Sequence, residues 1–188
     1  MNLTDLVEQA HGLLDQLGIA HAFGGALALG YRSTPRGTGD VDINVFVPFD
    51  DGPRVVTAFE RLGFRPESDP QDWTPLAGVR LVQEDGWALL DLFFSVDPAY
   101  EQVARRSTME PFGPARILIP VLSAEDLIVF KLSFGRTKDW VDLQTLAEAR
   151  DDLDLDLIED VLIALRGPTY YPRVARFRKM VRAANEAQ

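Results

Sequence analysis

The sequence predicts an α+β fold: a small mixed β-sheet core over residues 1–121 and a helical C-terminal segment over 122–188, together one compact unit. Three observations predict it. Apolar and polar residues alternate at period two over 40–47, while apolar residues recur at helical spacing over 3–17 and again from Ser123 onward. No Pro-, Gly- or Ser-rich linker separates the strand-bearing part from the helical one. At 188 residues the chain is long enough for a single domain with a sizeable core.

The elements follow in order. Leu3, Leu6, Val7, Ala10, Leu13, Leu14 and Leu17 lie on one helical face, and Gly18 ends the run. Residues 19–23 form a short apolar strand stopped by Gly24-Gly25, and the Ala- and Leu-rich stretch 26–31 suits a helix opened by those glycines. In 40–47, Asp40, Asp42 and Asn44 alternate with Val41, Ile43, Val45 and Val47, so one face of the strand is polar. Gly52-Pro53 opens a helix through Leu62. Residues 69–75 read as a loop, and strands 79–82 and 87–94 flank the turn signal Glu84-Asp85-Gly86. A strand covers 117–121, and Ser123 with Asp126 three residues on caps the next helix. Further helices are predicted over 138–149 and 155–165, and one more from Pro172.

Composition excludes several chemistries. There is no Cys, so disulfides, thiolate metal sites and a cysteine nucleophile are ruled out. Two histidines, His11 and His21, are too few for a multi-histidine zinc site; His21 reads as a core residue, or one that supports the site from behind, in preference to a catalytic base, and His11 has no inferred role. No apolar run reaches the ~18 residues of a membrane span, and the acidic, amphipathic residues 1–8 are unlike a secretory leader. The chain is expected to be cytoplasmic. A net charge of -10 argues against general nucleic-acid binding. The charge is uneven, however: Glu148, Asp151, Asp152, Asp154, Asp156, Glu159 and Asp160 are followed by Arg166, Arg173, Arg176, Arg178, Lys179 and Arg182 with no acid between.

The informative constellation is Gly24-Gly25 followed by Arg36-Gly37-Thr38-Gly39-Asp40-Val41-Asp42. Glycines at a strand-to-helix turn let backbone amides approach a phosphate. Asp40 and Asp42, two apart on a strand, project from one face, and such carboxylates repel each other unless a hard cation such as Mg²⁺ joins them. Asp91, inside the apolar run 87–94, is a third carboxylate, either a shared metal ligand or half of a structural salt bridge. No Gly-x-Ser-x-Gly, Walker-type or His-Glu-x-x-His motif offers another chemistry.

Gly24-Gly25, then Asp40-Val41-Asp42, then Asp91 resembles the nucleotidyltransferase superfamily with a polymerase-β-like core. The stretch from Ser123 through Lys131, with Arg136, Asp139 and Asp142 beyond it, is similar to the AbiEii/MenT group of nucleotidyltransferase toxins; the resemblance covers roughly residues 23–143. It implies transfer of a nucleotide from a nucleoside triphosphate with release of pyrophosphate. Asp40, Asp42 and Asp91 would hold Mg²⁺, in all two ions, with Asp91 also helping to deprotonate the acceptor. Gly24, Gly25 and Lys131 would hold the triphosphate; Arg36 and Thr38, just ahead of the metal carboxylates, either touch it or belong to an exposed loop. Asp139 and Asp142, at i and i+3, either orient a base, ribose or cation or pair with Arg136 and Lys138. The resemblance further implies a toxin of a toxin–antitoxin pair acting on the 3′ end of tRNA, and an antitoxin, a kinase in some relatives, that phosphorylates Thr38.

Arg173, Arg176, Lys179 and Arg182, with Tyr170 and Tyr171 ahead of them, read either as an RNA-binding groove wall or as a solvated helix face. Two alternatives stand beside tRNA: transfer to a protein hydroxyl or an aminoglycoside-like small molecule, and an inactive binding module on the same fold.

Overall fold

The computed structural model describes residues 2–75, 77–83 and 89–187. The first helix, α1 (Leu3–Gln16), is closed by a reciprocal capping box, the Asn2 side chain accepting from the Asp5 amide and Asp5 from the Asn2 amide. It buries the Leu6, Val7, Ala10 and Leu14 stripe that its sequence spacing sets. Then come β1 (His21–Phe23), α2 (Gly25–Arg32), β2 (Asp40–Pro48), α3 (Gly52–Glu60), β3 (Phe64–Pro66), β4 (Val79–Gln83) and β5 (Leu89–Ser95). The chain continues through α4 (Tyr100–Arg106), β6 (Thr108–Phe112), β7 (Ile117–Val121), α5 (Ala124–Phe134), α6 (Thr137–Ala149), α7 (Leu155–Arg166) and α8 (Tyr171–Ala187).

The seven strands form one mixed sheet in the order β3-β4-β5-β2-β1-β7-β6. The β2–β5 and β1–β7 pairs are parallel and the rest antiparallel. The α+β reading therefore holds, with a sheet in the first part and helices after residue 121.

Period-two alternation decides which side chains enter the core. On β2, Val41, Ile43 and Val45 are buried, and on β5 Leu90, Leu92 and Phe94 are buried. Their alternate residues, Asp40, Asp42 and Asn44 on β2 and Asp91 and Phe93 on β5, share the opposite face, because the register aligns Asp42 with Asp91 and Asn44 with Phe93. Helices α2 and α5 lie over that face and pack against each other.

Several expectations need correction. The strand predicted over 19–23 is shorter, His21–Phe23, although the Ala20 carbonyl already accepts from the Phe46 amide (2.8 Å). The loop over 69–75 contains one 3-10 turn, Pro70–Asp72. Elements β3, α4 and β6 were not anticipated. β3 has three residues and ends in Pro66, β6 contains Pro111, and α4 has no side-chain cap, so each lacks the local signal by which short elements are read. The turn Glu84-Asp85-Gly86, with Trp87 and Ala88, lies outside the described residues.

The Ser123 cap is as expected: its hydroxyl accepts from the Asp126 amide (3.0 Å) and donates to the Asp126 carboxylate (2.8 Å), which pairs with Arg106. Among the described residues no helix is long and apolar enough to cross a membrane.

Candidate active site

At the end of β1 the chain must turn into α2 directly beside β2. The Gly24 amide donates to the Asp42 carbonyl (2.9 Å), and a Cβ at Gly24 would stand 2.9 Å from Asn44 Nδ2. Gly25 has φ +51°, and a Cβ there would fall inside the Asp42 carboxylate. Both glycines are therefore required by the close approach of this turn to the acidic face of β2.

That face is the floor of a cleft. Asp40, Asp42, Asn44 and Phe93 come from the sheet; Leu127, Phe130, Lys131 and Phe134 come from α5; Arg136, Lys138 and Asp139 come from the start of α6; and Arg36 comes from the segment after α2. The cleft is narrow at its floor and opens to solvent at its mouth. One wall is aromatic: the Phe93 and Phe134 rings lie 5.6 Å apart, and the Arg136 guanidinium stacks over Phe134 at 4.8 Å.

The carboxylates are not equivalent. Burial, then the neighbouring charges of Asp40 and Asp91, push the Asp42 carboxyl up to about 6, against the pull of Lys131 and Lys138. Burial works against ionisation of Asp40 too. There the Thr38 hydroxyl, donating to Asp40 Oδ1 at 2.5 Å, with Lys138 and Arg80, outweighs it and holds Asp40 below its usual value. Asp91 forms a bidentate pair with Arg80, both contacts 2.7 Å, which is the salt bridge weighed for it above. Among the described residues, no three His, Cys, Asp or Glu side chains gather closely enough to hold a metal ion.

Lys131 is buried, 5% exposed, and its Nζ donates to Asp142 Oδ2 at 2.6 Å. Arg36 grips the same carboxylate through Nε (2.8 Å) and Nη2 (2.9 Å). Burial opposes the charge on Asp142, but these two cations outweigh it and hold its carboxyl below the ordinary value. Asp139 accepts from the Arg136 amide (3.0 Å) and Nε (2.8 Å), closing the first turn of α6. Of the two sequence readings for this pair, ion pairing is therefore the one the structure presents. Asp142 pairs with Arg36 and Lys131, in place of the partners expected from its own helix.

Two cleft residues and one neighbour were missed. Asn44 could have been found, as the third polar residue in the Asp40, Asp42 alternation. Lys138 was read only as an ion-pair partner. Arg80 carries no local signal, because only the β4–β5 register sets it opposite Asp91.

The basic stripe does not form one free surface. Arg173 Nη1 donates to the carbonyls of Leu132 (2.6 Å) and Ser133 (2.8 Å), capping the C-terminus of α5, and its guanidinium lies over Tyr170. Arg176 stacks on Trp140 at 3.7 Å. Lys179 and Arg182 are exposed.

No protein-family model and no curated protein sequence matches this chain. Solved structures do. The antibiotic-resistance factor ANT(2'')-Ia superposes with a TM-score of 0.60 at 16% identity, covering 94% of this chain and 96% of that one. The lincosamide antibiotic adenylyltransferase LnuA, lincomycin-bound, gives 0.56 at 15% identity over 78% of this chain and 96% of that one. An antigenic nucleotidyltransferase-like protein from Paracoccidioides brasiliensis gives 0.54 at 18% identity, covering 95% and 92%. At these identities the likeness is one of fold: the chain has the nucleotidyltransferase fold.

Proposed function

We propose that this protein is a nucleotidyltransferase that joins the nucleoside monophosphate of a nucleoside triphosphate to a hydroxyl of a small cationic acceptor. The observation that carries the reading is the half-buried Asp42 carboxylate, set on one strand face with Asp40, aligned with Asp91 on β5 and pressed against the Gly24-Gly25 turn; burial and the neighbouring carboxylates push it up to about 6. Anions held together at this cost to ionisation fit a hard divalent cation. Asp40 and Asp42 are the residues that would hold it, joined by Asp91 once free of Arg80. Two Mg²⁺ ions, when bound, supply charge neutralisation for the triphosphate and acidify the acceptor hydroxyl.

The chain's own residues do the rest. The Gly24-Gly25 backbone, Lys131, Lys138 and Arg36 face the triphosphate, and Phe93 and Phe134 offer an apolar wall to a base. Asp91 takes the acceptor's proton. The acceptor oxygen bonds to the α-phosphorus, the bond from that phosphorus to the β-phosphate oxygen breaks, and pyrophosphate leaves. The cleft draws on both 1–121 and 122–188, which supports reading them as one working unit.

A cationic acceptor is supported by the net charge of -10 and by a second, wider groove at the C-terminal ends of β2 and β5, lined by Phe46, Phe49, Tyr100 and three carboxylates, Asp50, Asp97 and Glu101, against one Arg105. ANT(2'')-Ia, a structure of which holds adenylyl-2''-tobramycin, and LnuA, with lincomycin, share the fold.

The second reading is a toxin that modifies the 3′ end of tRNA. The exposed Lys179 and Arg182 favour it, as does Thr38, whose phosphorylation by an antitoxin kinase would replace its hydrogen bond to Asp40 with a nearby charge of about -2.

The test is purified protein with Mg²⁺ and each labelled nucleoside triphosphate in turn, offered aminoglycosides and lincosamides, total tRNA and a protein extract. Label on a drug, lost in Asp42→Ala, is expected. Label on tRNA moves the assignment to the second reading, and label on protein to a hydroxyl of a partner. No label from folded protein leaves a binding module.

A further inference from the structure

Asp91 stands between opposite charges. Its parallel neighbour on β2 is Asp42, and its antiparallel neighbour on β4 is Arg80. Directly opposed residues project to one face with Cβ atoms ~5 Å apart, so the Asp91 carboxylate has an anion on one side and a guanidinium on the other. It is turned to the guanidinium. Arg80 Nε reaches one oxygen and Nη2 the other, both at 2.7 Å, so both oxygens are engaged. The pair is placed to open: the Arg80 side chain is 40% exposed and that of Asp91 15%. Glu67, whose amide donates to the Arg80 carbonyl at 2.9 Å, adds a second negative charge near Arg80.

We propose that Arg80 is a built-in counter-cation that holds Asp91 out of the cation site in the substrate-free protein, so that Asp91 joins Asp40 and Asp42 only when a divalent cation displaces the guanidinium. The inference rests on the nucleotidyl-transfer reading of the cleft. It accounts for three carboxylates that lie on one face yet do not gather around one point. It also makes Arg80 a positioning residue: a cation entering the cleft competes with a bidentate ion pair, the strongest geometry an arginine offers a carboxylate. Once released, the same planar fork suits a phosphate oxygen pair. Cation and triphosphate then enter by exchange of partners, the carboxylate taking the cation and the guanidinium the phosphate.

The experiment titrates the full chain with Mn²⁺ alone, with no nucleotide, following free Mn²⁺ by electron paramagnetic resonance and heat by calorimetry. Arg80→Gln is expected to bind Mn²⁺ about tenfold more tightly than the unaltered chain, the factor that ~1.4 kcal/mol gives. Arg80→Lys, which keeps the charge and loses the fork, falls between them. The gain vanishes in Arg80→Gln/Asp91→Asn, and Asp42→Asn removes Mn²⁺ binding in either background. If Asp42→Asn abolishes binding but Arg80→Gln binds as the unaltered chain does, the latch is wrong and the cation site stands. If Asp42→Asn leaves Mn²⁺ binding unchanged, the cation reading fails and the latch with it. An Arg80 with a structural role only would lower the thermal midpoint on substitution without tightening Mn²⁺ binding, and that result also overturns the proposal.

Discussion

At the scale of single residues, the site trades stability for charge density, and Asp42 is where this is measurable. Its folded carboxyl titrates at about 6, above the ordinary 3.8. The folded state therefore holds a proton that the unfolded chain has released, and stability falls as pH rises from about 4 to about 6. Above that window the ionised carboxylate costs ~2 kcal/mol, at ~1.4 kcal/mol per unit with allowance for its partial exposure. Asp42→Asn, in chelator at pH 7.5, is expected to raise the thermal midpoint by about 4–8 °C while abolishing transfer. A lower midpoint would mark the carboxylate as structural. This residue was legible: glycine pair, spacing and alternating strand all pointed to it. Lys138 was visible as a residue but not as a member of the site, since the start of α6, far along the chain from β2, gives no hint that the two line one cleft.

His21 has the opposite sign. Its Nδ1 lies 2.9 Å from the Ile19 carbonyl, so it carries the proton, and the unprotonated Nε2 accepts from His11 Nδ1 at 3.0 Å. Burial, with the nearby His11, lowers its pKa from 6.5 despite the Ile19 bond and Asp15. Below about pH 6.5 the unfolded chain takes up a proton that the folded one resists, so this contribution is present above 6.5 and is lost as pH falls. Denaturant melts between pH 7.5 and 5 should show a shallower pH slope in His21→Gln than in the unaltered chain. Equal slopes would exclude His21 as the titrating group. Sequence reasoning placed His21 in the core but could not see its partner, which the packing of α1 against β1 supplies.

At the scale of elements, long periodic segments were legible and short ones were not. α1, β2, α5 and α7 each bury a stripe or face written in their own spacing, whereas β3, α4 and β6 exist because neighbouring strands and helices leave them no other place. The basic residues of α8 show the same divide. Spacing sets them on a helix, but only tertiary contact separates Arg173, committed to the carbonyls of Leu132 and Ser133, from the free Lys179 and Arg182. The end of α5 depends on this cap. A Cβ at Gly135 would stand 2.6 Å from Arg173 Nη1, so glycine and arginine must be accommodated together. Arg173→Met leaves two carbonyls without a charged donor and is expected to cost ~2 kcal/mol in chemical denaturation. Lys179→Met should lie within ~0.5 kcal/mol of the unaltered chain. Equal losses at the two positions would show that α8 docks by its apolar face, Val174, Phe177, Val181 and Ala184, without help from the cap.

At the scale of the whole molecule, net charge separates the two acceptor classes more cleanly than any one contact. A chain of charge -10 attracts a polycation from beyond the cleft, and salt screens that attraction over a Debye length of ~10 Å at 0.1 M. For an aminoglycoside acceptor, kcat/KM should therefore fall several-fold between 0.05 and 0.5 M KCl while kcat holds, since the reacting groups are already in contact in the bound state. An RNA acceptor would also lose affinity with salt, through counterion release at the basic residues it touches, so salt alone does not decide. Charge reversal does. Lys179→Glu/Arg182→Glu replaces two positive charges by two negative ones at exposed positions, a change of four units in net charge. It should leave the KM for a polycationic acceptor unchanged or lower, because the attracting field is strengthened. The same double change should remove most activity on tRNA, whose phosphates would meet four fewer units of favourable charge. A KM for the drug that rises with reversal would contradict a cationic acceptor drawn in by the negative field of the molecule.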